Sequence, residues 1–115
     1  MNMEVSKSLN ERFLYHIWDE NHLQFELGTV SGKALQIIYP GHFNTNRGPD
    51  FVNASLVIDG VNCTGSVEIH LAHLDWTRHH HHEDRYYNDV ILHVVYDHNS
   101  QIAYTCKENG EQVDI

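Results

Sequence analysis

Residues 48–71 read GPDFVNASLVIDGVNCTGSVEIHL, and two strand-forming runs within them, Phe51 to Ile58 and Ser66 to Leu71, flank the dipeptide Asp59-Gly60. Asp-Gly between alternating and β-branched residues is a hairpin signal, because a tight antiparallel turn needs positive φ and glycine adopts it without steric cost. Asp50 opens the first strand, and Glu68 and His70 lie two apart on the second. Side chains alternate along a strand, so Glu68 and His70 share one face while Val67, Ile69 and Leu71 share the other. The turn decides whether Asp50 joins them. A two-residue type I′ loop pairs Ile58 with Val61 and sets Asp50 against Ile69, on the wrong face. A three-residue loop with Gly60 left-handed in a bulge pairs Val57 with Val61 and sets Asp50 against Glu68. The three-residue loop is expected, and with it two carboxylates and an imidazole converging at the open end of the hairpin.

Working outward, Ser8-Leu9-Asn10-Glu11 has the capping-box pattern, and Leu9, Phe13, Leu14, Ile17 and Trp18 follow on one helical face, predicting a helix from about Leu9 to Glu20. Phe25 to Val30 and Ala34 to Tyr39 around Ser31-Gly32 read as a second hairpin, and His42 to Arg47 as a polar loop leading into Pro49. Beyond Leu71, Asp75 or Thr77 is a candidate helix cap, and the segment through Tyr87 is an irregular or helical crossover. Residues 90–96, VILHVVY, are nearly all apolar and predict a strand buried on both faces, with His93 a hydrogen-bonded core residue. Ile102 to Lys107 is a further strand, and Asn109-Gly110 starts a hairpin whose return, Gln112 to Ile115, is expected to be cut short, leaving a sheet edge open to another chain. The fold class is therefore α+β (mixed α/β), a sheet with an N-terminal helix, a central β-hairpin and a helical or irregular crossover.

A chain of 115 residues suits one domain. No apolar run approaches the roughly 20 residues of a membrane span, and the N-terminal residues carry no apolar signal core, so no membrane partner is expected and the default address is cytoplasmic. Cys63 and Cys106 have no metal-ligand spacing and read as two free thiols. The net charge of −9, from 7 basic and 16 acidic residues, opposes unaided nucleic-acid binding. A bound cation, protonated histidines or a basic region outside the chain would offset it.

Pro49-Asp50 followed by Glu68-Ile69-His70 resembles the core of the PD-(D/E)XK nuclease superfamily, with His70 in place of the motif lysine. Together with Trp18, Pro40-Gly41-His42, Gly48 to Phe51, Gly65 to His70, Asp75-Trp76 and Asn88 to Tyr96, the chain also resembles the start of a bacterial domain-of-unknown-function family common in Bacteroidetes, over about residues 10–100. The second resemblance implies that the sequence is the N-terminal portion of a longer architecture. The first implies a restriction-endonuclease-like fold and metal-dependent nuclease activity on nucleic acid, with Mg²⁺ or Mn²⁺ on Asp50, Glu68 and the Ile69 carbonyl, and Glu11 joining from the first helix. Asp50 and Glu68 are hard oxygen ligands of the kind such ions take. His70 is the departure: it serves as a general base, shifts preference toward Mn²⁺, Fe²⁺ or Zn²⁺, or marks a fold that has lost catalysis. Arg47, Arg78 and Arg85 are the available phosphate contacts, and His79 to His82 read as polar surface that captures metal adventitiously. His73 is read as a surface residue just past the Glu68 strand. Three readings stay open: a nuclease-like hydrolase, a non-catalytic interaction or assembly module with the same fold, and a histidine-rich metal-binding domain; the expected open edge suits a homodimer or pairing with a C-terminal region outside the chain.

Overall fold

In the computed structural model, which describes residues 11–20, 27–98 and 101–115, the hairpin around Asp59-Gly60 is the spine of an eight-stranded mixed sheet. Its strands are β1 (Leu27–Gly28), β2 (Ala34–Tyr39), β3 (His42–Phe43), β4 (Phe51–Ile58), β5 (Val61–Ala72), β6 (Val90–Asp97), β7 (Tyr104–Cys106) and β8 (Gln112–Asp114). They lie in the order β1-β2-β4-β5-β6-β8-β7, with β3 on the end of β4. The β5–β6 and β6–β8 pairs are parallel and the others antiparallel. The sheet curls until Val30 in the first turn donates its amide to the Ile115 carbonyl at 2.8 Å.

The turn corrects the sequence reading. Asp59 and Gly60 both have positive φ, 53° and 83°, and Ile58 pairs with Val61, so the loop has two residues and not three. The extra residue sits at the other end of the strand. Ala54 pairs with Gly65 but Phe51 pairs with Val67, and between them Asn53 takes φ 59°. This bulge shifts the register by one and returns Asp50 to the Glu68 side. Asparagine is among the few side chains that tolerate left-handed backbone. Asn53→Val is therefore expected to destabilise the chain by about 1–2 kcal/mol, measured by urea unfolding, whereas Asn53→Gly is neutral.

Helix α1 (Glu11–Glu20) covers the face formed by Val67, Ile69, Phe51 and Leu92, with Trp18 buried there and its Nε1 donating to the Pro40 carbonyl at 2.9 Å. Phe13, expected on the buried face, is exposed. The Ser8 cap and the strand start at Phe25 lie outside the described residues. On the opposite face, the crossover carries the single-turn helix α2 (Asp75–Arg78) and two 3₁₀ turns, His81–Glu83 and Arg85–Tyr87, whose Trp76 and Tyr87 pack with Val90 and Val113. No helix among the described residues is long and apolar enough to cross a membrane.

Two further expectations change. His42–Phe43, read as loop, pairs with Val52 and Phe51. The return strand near Ile115 is not an edge: β8 lies between β6 and β7, and β7 takes the outer place.

Candidate functional site

Asp50 is set by the loop before it. Asn44 donates its backbone amide to the Asp50 carbonyl at 2.7 Å and its side-chain amide to the Pro49 carbonyl at 2.9 Å, and Tyr87 Oη donates to the Gly48 carbonyl at 3.0 Å. The loop is thus tied to itself and to the crossover. At the strand mouth, side chains replace the ladder: the Asp50 amide donates to Glu68 Oε1 at 3.0 Å, and the Ile69 amide donates to Asp50 Oδ2 at 2.8 Å. Ile69 itself is fully buried.

Glu68 stands between imidazoles. His70 Nε2 is 3.1 Å and His81 Nε2 3.0 Å from Glu68 Oε2, and all three residues are buried. Behind them a polar chain runs through the sheet, His70 Nδ1 to His93 Nε2 at 2.8 Å and His93 Nδ1 to Thr105 Oγ1 at 2.9 Å. His93 is a hydrogen-bonded core residue, as its apolar strand implied. With Glu68 ionised and His70 protonated, each donor meets an acceptor along this chain.

Burial and charge push these groups apart. Burial, then the Glu68 charge, raises the Asp50 carboxyl well above the usual carboxylate range, against the hydrogen bonds from Ile69 and Tyr15. Glu68 is also raised by burial, but hydrogen bonds from His70 and His81 outweigh this and hold it below that range. His70 is raised because Glu68 overcomes its desolvation, and burial takes His93 down to about 3. Two adjacent carboxyls with separated affinities for a proton are the arrangement acid–base chemistry uses.

Glu11 is linked to this centre through Tyr15, whose hydroxyl lies 3.2 Å from Glu11 Oε1 and 3.0 Å from Asp50 Oδ1. Burial, followed by the charges of Asp50 and Glu11, raises the Tyr15 hydroxyl pKa. Arg47 pairs with Asp84 at 3.6 Å and covers the Tyr86 ring at 4.3 Å, and Arg78 pairs with Asp75 at 3.4 Å. Arg47 and Arg85 help to line an open hollow of about 470 Å³ beside the histidine run, with His80, Glu83, Asp84 and Tyr86. His73, read as a surface residue, is half-buried and packs against the His98 ring at 5.1 Å.

The histidine run is the largest correction. It is not uniformly surface: His81 is buried against Glu68 and stacked on Tyr87 with ring centres 3.8 Å apart, and His79 lies 5.1 Å from the His70 ring. His80 and His82 stack on each other 6.2 Å apart. Tyr15, His79, His81 and Tyr87 were all missed as site residues. Alternation along the run was the only available signal, and four identical residues conceal it. Cys63 and Cys106 are free thiols.

A family model described as a protein of unknown function (DUF2851) matches residues 11–115. No curated protein and no solved structure matches the chain.

Proposed function

The chain belongs to this family, DUF2851, and we propose that its site is that of a metal-dependent, nuclease-like phosphodiester hydrolase on a restriction-endonuclease-like sheet. The observation that carries the reading is the convergence of Asp50, Glu68 and His70 through the 3.0 Å, 2.8 Å and 3.1 Å contacts at the β4–β5 mouth. The order helix, antiparallel strands, crossover and parallel β6 supports the fold assignment.

The donors present are carboxylate oxygens on Asp50 and Glu68 and imidazole nitrogens on His70 and His81. A mixed set of this kind fits Mn²⁺ better than Mg²⁺, which prefers oxygen and water. A divalent ion bound there supplies Lewis acidity and makes water nucleophilic near neutral pH. The chain's own residues do the rest. The Ile69 amide fixes Asp50, Glu68 orients His81, and His70, where the motif has lysine, would hold the ion at Nε2 in place of its proton, its Nδ1 being committed to His93. Arg47 and Arg85 are the cations offered to a phosphate, in a hollow that Glu83 and Asp84 also line, so a phosphate there would have to displace Asp84 from Arg47.

A second reading, the non-catalytic module, is favoured by one fact: all four oxygens of Asp50 and Glu68 already have partners within the chain. Cleavage assays on single- and double-stranded DNA and RNA with Mn²⁺ separate the two. Cleavage is expected from the wild type, and Asp50→Asn is expected to lower it by about 100-fold or more, since losing even an outer partner of a metal ligand costs about 10–100-fold. Mn²⁺ binding with no cleavage of any of the four substrates would leave the module.

A further inference from the structure

We infer that the crossover histidines complete a zinc-class metal site, in which the imidazoles of His70, His79 and His81 hold one late first-row divalent ion beside Glu68. Ligand nitrogens of these three residues all lie within 4.8 Å of one another. Their rings form a near-equilateral triangle, with centres 5.1, 5.3 and 5.5 Å apart. Tetrahedral Zn²⁺ with bonds near 2.0–2.1 Å separates its nitrogen ligands by about 3.3 Å, so the cluster must close by roughly 1.5 Å. His79 is exposed and free to swing, whereas His70 and His81 are buried and held.

Independent features point the same way. His80 takes left-handed φ, 61°, which turns the chain so that His79 and His81 reach His70 while His80 pairs outward with His82. Such backbone in a side-chain-bearing residue is sparsely populated and gathers at functional sites. His70 has the outer partner that metal-bound imidazoles need, His93 at 2.8 Å, itself anchored on Thr105. Trp76 packs edge-on to His81 at 5.4 Å and tilted against His93 at 5.1 Å, walling the rings from one side. Glu68 lies 3.1 Å from His70 Nε2 and 3.0 Å from His81 Nε2; because His70 Nδ1 is held by His93, the ion would replace the Nε2 proton that His70 now shares with Glu68, and the carboxylate's charge makes the buried cation tolerable. Imidazole-rich donors select Zn²⁺, Fe²⁺ or Co²⁺ over Mg²⁺.

The site shares Glu68, His70 and His81 with the hydrolytic centre, and rests on that reading only for what the ion would do; its own test needs no cleavage. Co²⁺ is titrated into the metal-free chain and followed by its visible d–d absorption and by stoichiometry. One Co²⁺ per chain is expected, with the intense band of low coordination number. His79→Gln is expected to weaken binding by about 10-fold or more, following the size of ligand-environment losses, while His82→Gln, and His80→Asn, which keeps the left-handed backbone, leave it unchanged. His79 is exposed, so its variant is expected to keep the wild-type melting temperature in chelator. Binding that survives His79→Gln, or that falls equally with His82→Gln, is adventitious capture by the run and overturns the site. Co²⁺ held as expected, together with no nucleic acid cleaved in the Mn²⁺ assays, supports the site while removing the hydrolase.

Discussion

Glu68→Gln is expected to lower the stability of the metal-free chain by about 3 kcal/mol, the lower part of the range for breaking a buried ion pair, and to drop its melting temperature by about 12 °C. The variant keeps the shape of the side chain but removes the charge shared by His70 and His81, 3.1 Å and 3.0 Å away. The lower figure applies because the stranded His70 imidazole can shed its proton. The loss also depends on pH. Glu68 is held below its ordinary value of 4.5, so its contribution is present above that pH and lost as pH falls through the folded value. His70 is raised from 6.5, so its contribution is present below that pH and lost as pH rises through the folded value. The difference between wild type and variant should therefore be greatest between about 4.5 and 6.5 and shrink on the alkaline side. Urea unfolding at several pH values measures it, and a difference below about 1 kcal/mol in that window would show that Glu68 carries no paired charge.

The second large effect belongs to His93. Its folded pKa is depressed from 6.5 to about 3, chiefly by burial and secondarily by the charge of His70. The unfolded chain takes up a proton near 6.5 and the folded chain does not, so stability is whole above that pH and drains away as pH falls toward 3. One pKa unit corresponds to 1.36 kcal/mol, which makes the loss about 3 kcal/mol by roughly pH 4.5. His93→Gln retains a polar side chain that does not titrate. Its stability profile over the same range is expected to be shallower than the wild type by up to about 1.4 kcal/mol per pH unit. Parallel profiles would mean that His93 is not the group whose protonation opens the fold.

Both effects arise from residues the sequence exposes unequally. His93 is legible because a lone imidazole inside VILHVVY has nowhere to go but the core. Glu68 and His70 are legible from period-two alternation alone. The partnership of Asp50 is legible in outcome but not in cause. Asp59-Gly60 forms the ordinary two-residue turn its chemistry favours, and the compensating residue is Asn53, which a run of strand formers hides. A bulge is a tertiary choice between two registers, and the Asn44 loop, β3 and Tyr87 all act on it from a distance. The histidine run is the least legible part. Its alternation exists only because His80 adopts left-handed backbone and Trp76 and Tyr87 seat His81 on the sheet. Tyr15 was similarly hidden, since a tyrosine on a helix flank gives no sign that its hydroxyl will bridge Glu11 and Asp50.

The β5–β6 face thus carries an acidic centre backed by imidazoles, with both carboxylates oriented by backbone amides. The most direct measurement of this arrangement is anomalous diffraction from crystals of the chain grown with Zn²⁺ or Mn²⁺. A single peak bordered by Glu68 and His70, with Asp50 facing Glu68 across the strand mouth, is the expected result. A peak confined to His80 and His82, or an Asp50 carboxylate lying on the Ile69 side of the sheet, would contradict it.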